Sequence, residues 1–176
     1  LPGVMMGSAA QRLIRLYAVR PGKRAVVLTG NNEGYAVALD LLDAGVEVAA
    51  VVELRKNPTY DAVAVATMTR IPVREGTTVY EAHKKGSHLS AVDVRRIGTQ
   101  GKCTGPFERI ECDLLCMSIG FTPTYQLPCQ AGATLDYDDA SATFSIDGLP
   151  DALYLAGSVN GQWALDHTRG DGRHAG

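Results

Sequence analysis

The sequence predicts an α/β fold: a Rossmann-like parallel sheet flanked by helices, with an antiparallel β extension. Three observations predict it. The apolar run Ala25-Val26-Val27-Leu28 leads into a turn, Thr29 to Tyr35, and Ala36, Val37, Ala38, Leu39, Leu41 and Leu42 follow over a helical length closed by Ala44-Gly45. A second apolar run, Val46 to Val52, stops at Glu53. Further on, short apolar runs separated by Gly and Pro read as strands of a second sheet.

In chain order, the segment after Gly3 is expected to be a helix, with Ala9, Leu13, Leu16 and Tyr17 at near-helical spacing and Arg12 and Arg15 on other faces. Arg20-Pro21-Gly22-Lys23 breaks it, and the strand–turn–helix–strand unit just described comes next. Asn57-Pro58 then opens a second helical pattern through Ala62, Val63, Ala66 and Met68, ended before Ile71-Pro72. Val79 to Ala82, Leu89 to Ile97 and Phe107 to Glu111 form the antiparallel extension, the last two joined by the stretch 98–106. Asp113 to Ile119 reads as a buried strand rejoining the main sheet. Asp136, Asp138 and Asp139, between Gly132 and Gly148, mark a solvated loop or hairpin, and the ending Arg169 to Gly176 is expected to fray.

The first unit has the layout of a dinucleotide-binding half: strand, tight turn, helix, strand and terminal acid, with Glu53 24 positions after Thr29. In that layout backbone N–H groups at the helix start face a pyrophosphate, and the acid accepts hydrogen bonds from the adenosine ribose. The G-x-G-x-x-G positions fall on Thr29, Asn31 and Gly34, so only the third is glycine. Gly34 permits close helix-to-sheet packing, Gly30 supplies freedom one residue early, and Asn31 adds a side chain where the pyrophosphate passes. Glu33 brings a carboxylate to the same positive helix end. The candidate nucleotide residues are therefore Thr29, Gly30, Asn31, Asn32, Glu33, Gly34 and Tyr35 at the phosphates. Glu53, Leu54 and Arg55 lie at the adenosine end, and Ile119 and Gly120 across the cleft. Glu53 favours NAD by repelling a 2′-phosphate, while Arg55 weakens that preference. The alternative is a Rossmann unit kept as architecture around an empty site.

Composition narrows the function classes. Net charge −2 and a sequence pI near 6.1 give no field for nucleic acid. Lys84-Lys85-Gly86 suits a solvated hairpin tip, and Arg95-Arg96 a strand end. No apolar run is long enough to span a membrane. Leu1 to Met6 lacks the basic stretch of a signal peptide, and with no initiator methionine it suggests an excised or processed segment. A cytoplasmic location is the expectation. Cys103, Cys112, Cys116 and Cys129 contain no C-x-x-C, and His83, His88, His167 and His174 show no ligand spacing, so structural thiols and no metal are expected. No G-x-S-x-G elbow, acid pair or Cys/His pattern marks a catalytic centre. Trp163 is expected to be a buried anchor.

Three further stretches carry a resemblance. Asp113 to Pro123, with its strand followed by Gly-x-x-Pro, resembles the exit from the NAD domain in flavoprotein reductases that contain two dinucleotide domains. Leu153 to Gly161 resembles their returning flavin-domain strand, and Leu1-Pro2-Gly3-Val4 their outgoing linker. Within that superfamily the chain most resembles the α subunit of heterotetrameric sarcosine oxidase. The residues behind this are Leu1 to Met5, Pro21 to Val27, the Asn31-Asn32 turn before Tyr35, and Ala44 to Val52.

That resemblance implies an NAD-binding segment within a multisubunit flavin-dependent amine oxidoreductase, with oxidation occurring on flavin associated with a partner subunit. It divides the chain into a linker and helix (1–20), an NAD-binding Rossmann-like domain (21–123) and a partial return to a flavin domain (124–176). Two departures stand out: Ser158 replaces the acid expected after Ala156-Gly157, and no first flavin fingerprint precedes Pro2. FAD is accordingly expected only in the complete protein, and the isolated chain is expected to be inactive. The rival expectations are a segment of an NADH-dependent flavoprotein reductase and an assembly domain with a dead nucleotide site.

Overall fold

The computed structural model describes residues 1–58, 64, 67–138 and 143–176, which form two compact units, Leu1–Gly120 and Phe121–Gly176. In the first unit β1 (Val4–Met6), α1 (Gly7–Tyr17), β2 (Arg24–Thr29), α2 (Glu33–Asp43), β3 (Glu47–Glu53) and β4 (Val73–Glu75) are followed by β5 (Thr77–Lys85), β6 (His88–Ile97), β7 (Cys103–Glu111) and β8 (Leu114–Ser118). The main sheet runs β1-β8-β2-β3-β4 with every pair parallel. A three-stranded antiparallel sheet, β5-β6-β7, supplies the expected extension.

Side-chain alternation along β2 decides what covers each face. Ala25 and Val27 point into a core with Tyr35, Val37, Ala38 and Leu41 of α2 and Ala10 of α1. Val26 and Leu28 point the other way, onto Leu89, Val92, Val94 and Ile110 of the antiparallel sheet. One face is thus covered by α1 and α2 and the other by the second sheet. A strand buried on both sides reads as a continuous apolar run, which is why β2 and β3 stood out in the sequence.

Several elements differ from expectation. The segment after Gly3 first adds β1 to the sheet edge, and α1 starts only at Gly7. β4 was not anticipated, since three residues are too few to show a period. β7 begins at Cys103, inside the stretch expected to be a loop, because an edge strand tolerates Pro106 and a Gly105 at φ +73°. The Lys84-Lys85 hairpin turns at Gly86, as expected, at φ +65°. Of the second helical pattern, Ala62, Val63 and Ala66 lie outside the described residues, while Met68 is helical and exposed.

In the second unit α3 (Gln126–Gln130) precedes the hairpin of β9 (Thr134–Asp138) and β10 (Thr143–Gly148), which carries Asp136 and Asp138. Asp139 lies outside the described residues. Leu153 to Gly161, which resembles a returning strand, forms none: Leu153 to Ala156 belong to no described strand, and Gly157–Asn160 is a 3-10 turn. Trp163 is not buried but 46% exposed, stacked on Phe121 at 5.0 Å. Rather than fraying, the chain end forms α4 (Leu165–Ala175), with Asp166 in its first turn and Arg173 and His174 in its last, both favourable to the helix dipole. Asp171 ties it to the turn 157–160 by accepting the Gly157 N–H at 2.8 Å and the Asn160 amide at 3.2 Å.

Candidate functional site

The C-terminal ends of β2, β3 and β8 converge where the strand order reverses, the position at which open α/β sheets bind ligands. Thr29 ends β2 fully buried. Its hydroxyl accepts the Asn31 N–H at 3.2 Å, and its single proton faces two carbonyls, Asn31 O at 2.7 Å and Ser118 O at 3.0 Å. This closes the turn tightly. A Cβ on Gly34 would lie 2.2 Å from Thr29 Oγ1 and 2.3 Å from its Cβ, so the third fingerprint glycine is required by the threonine at the first position. Gly30 donates to Ser118 O at 3.1 Å, and a Cβ there would sit 2.8 Å from Ile119 O. The loops after β2 and β8 therefore touch across the cleft.

Asn31 and Asn32 diverge in their roles. Asn31 Oδ1 accepts from the Ser118 hydroxyl at 3.1 Å, while its Nδ2 is buried with no hydrogen-bond partner. A buried unmet amide donor costs about 1–3 kcal/mol. Asn32 stands at the N-cap of α2 without a side-chain capping hydrogen bond to the helix, and Glu33 is exposed in its first turn. Backbone donors and an unmet side-chain donor thus meet at the positive end of one helix.

The end of β3 is arranged in the opposite sense. Glu53 is fully buried, and its Oε1 accepts from the Arg55 backbone N–H at 2.9 Å and Arg55 Nε at 3.0 Å. Its Oε2 accepts from Arg55 Nη2 at 2.8 Å and the Tyr35 hydroxyl at 3.2 Å. Four donors match the roughly four acceptor positions of a carboxylate. Burial, with the nearby Glu53 charge, pushes the Tyr35 phenol up and keeps it a donor; the hydrogen bond to Glu53 raises the Arg55 guanidinium further. Arg55 Nη1 reaches on to Asn32 Oδ1 at 3.1 Å, linking the two ends of the site. Leu54 continues the β2–β3 ladder by donating to Thr29 O at 2.8 Å. A Cβ on Gly120 would meet nothing within 4 Å, and half-exposed Ile119 precedes it on the open side of the cleft.

The structure brings all the candidate residues to one end of the sheet, and it adds Ser118. The only signal for Ser118 was a hydroxyl ending an apolar strand. The fit to a dinucleotide is unequal. An unmet buried donor beside an uncapped helix end suits a pyrophosphate, whereas Glu53 in this arrangement has no acceptor position left for a ribose.

Elsewhere, the absence of ligand spacing around the histidines needs correction. Cross-strand pairing gathers Glu81, His83 and Asp93 with ligand atoms within 4.8 Å of one another, a grouping that linear spacing cannot reveal. Arg109 fills it, donating to both Asp93 oxygens at 2.8 and 2.9 Å, and with His83 at 2.7 Å it holds that carboxyl down at about 2. Cys112 and Cys116 are buried thiols pushed up to about 11 and about 12 by burial. All four cysteines are free, and no described helix is long and apolar enough to cross a membrane.

No protein-family model matches the chain. It is 32% identical over 171 residues to the sarcosine oxidase α subunit of Rhizobium meliloti (strain 1021), covering 97% of this chain and 16% of that protein. The identity to the α subunit from Corynebacterium sp. (strain P-1) is 33%, over 91% of this chain and 16% of that one. The chain is homologous to one segment of the sarcosine oxidase α subunit. It spans only about a sixth of the length of these relatives. Among solved structures, thioredoxin reductase from T. acidophilum superposes with a TM-score of 0.70 at 21% identity, over 99% of this chain and 55% of that one. L-proline dehydrogenase from P. horikoshii gives 0.57 at 20%, over 90% of this chain and 26% of that one. These likenesses show the fold: a parallel sheet with helices and an antiparallel addition.

Proposed function

We propose that the chain is the NAD-binding segment of a sarcosine oxidase-like α subunit and is not itself the site of amine oxidation. The observation that carries this reading is the buried, unpartnered Asn31 Nδ2 beside the uncapped start of α2. A phosphate oxygen there would meet that donor and the helix-end N–H groups together. Thr29, Gly30 and Gly34 shape the turn, Asn31 and Asn32 flank the phosphates, and Ile119 and Gly120 bound the far side. Bound NAD would supply a hydride acceptor; the chain's own residues bind and orient it. FAD belongs to the complete protein, in a cytoplasmic complex with further oxidoreductase subunits.

One observation favours a second reading, an assembly domain with a dead site: every acceptor position of Glu53 is already filled. Calorimetric titration of the purified chain separates the two. NAD is expected to bind, FAD to give no heat, and sarcosine to go unoxidised. An absence of heat at millimolar NAD would establish the assembly reading, and stoichiometric FAD retained on purification would point to a reductase.

A further inference from the structure

Resting on the nucleotide reading above, the geometry points to Arg55 as the specificity-determining residue at the end of β3, accepting a 2′-phosphate on the adenosine ribose as readily as a 2′-hydroxyl. Discrimination by a terminal acid requires a carboxylate with free lone pairs and an uncompensated charge. Glu53 has neither. Its oxygens take two N–H groups of the Arg55 side chain, the Arg55 backbone N–H and the Tyr35 hydroxyl, and its side chain is 0% exposed.

Arg55 presents the opposite chemistry. A guanidinium has five N–H donors, and Nε, Nη2 and Nη1 each use one, on Glu53 and Asn32. One N–H on each terminal nitrogen is left over, on a side chain 31% exposed. Glu53 and Asn32 hold this fork from two sides, so it is already oriented before a ligand arrives. The ionised groups along these elements are of both signs: Lys56 follows Arg55 with its side chain in solvent, exposed Glu75 pairs in register with Glu53, and exposed Glu33 follows Asn32. A ligand at this edge therefore meets the free guanidinium donors and no unpaired carboxylate at Glu53. Ribose hydroxyls and phosphate oxygens both accept such bonds.

The test is the ratio of NADP to NAD dissociation constants, measured calorimetrically on the intact chain. The wild-type ratio is expected to lie within about threefold of unity, since a charge-discriminating carboxylate would shift it by tenfold, about 1.4 kcal/mol, or more. Arg55→Gln unmasks Glu53 and is expected to weaken NADP against NAD by about tenfold. Arg55→Lys, which keeps the charge but loses the fork and is easier to fold, is expected to fall between. A wild-type chain that binds NAD and excludes NADP by thirtyfold, about 2 kcal/mol, overturns this inference alone. A chain that binds neither nucleotide overturns it together with the function it rests on.

Discussion

The turn after β2 and the end of β3 lie at neighbouring strand ends, yet they satisfy their polar groups in opposite ways. At the turn, Asn31 Nδ2 is buried without a partner and the start of α2 has no side-chain cap. At the end of β3, a buried carboxylate receives four donors from two residues. An unmet donor costs stability that a ligand recovers on binding, whereas a saturated carboxylate contributes to the fold and has nothing further to offer. In the proposed nucleotide cleft the two ends therefore divide the work: the turn offers unmet donors to a ligand, and the acid anchors the arginine beside it.

Substitutions at each region test this division. The largest effect is expected from Gly34→Val, because even a Cβ there overlaps buried Thr29; a loss of about 3 kcal/mol or more in urea unfolding is the expectation. A loss below about 1 kcal/mol would mean that α2 does not press on Thr29 as described. Arg55→Ala comes next, at about 3 kcal/mol, because it removes the guanidinium and leaves a buried carboxylate with only the Tyr35 hydroxyl and the backbone N–H of position 55 as partners. If that variant unfolds like wild type, Glu53 is not the saturated group it is taken to be. Asn31→Gly has the smallest effect. It removes a bond to Ser118 along with an unmet donor, so stability is expected to change by less than about 1 kcal/mol. Its effect on NAD affinity is more telling, for if the amide donor contributes, affinity falls by about tenfold.

The sequence disclosed the parts of the fold that repeat a physical pattern. β2 and β3 were legible as continuous apolar runs, and α2 as an apolar stretch between a turn and Ala44-Gly45. β1 and β4, three residues each, carry too little pattern to be seen, and Pro106 disguised the edge strand β7. The site was legible in position more than in chemistry. The strand-end location of Glu53 and Arg55 could be read, but not the saturation of the carboxylate, which depends on α2 bringing the Tyr35 hydroxyl within 3.2 Å. Ser118 was missed because its contact with Asn31 spans 87 positions. The Glu81, His83 and Asp93 group was hidden for the same reason, since its members meet only across the β5–β6 register.

Amide-resolved NMR during titration of the chain with NAD tests most directly whether the turn, and not the acid, receives the nucleotide's phosphates. The expected result is saturable shifts concentrated on the Asn31 side-chain amide and the backbone N–H groups of Asn32, Glu33 and Gly34. The Arg55 Nε–H resonance should remain that of an arginine still bonded to Glu53. Shifts confined to the end of β3, with Arg55 released from the carboxylate and the turn amides unmoved, would contradict it.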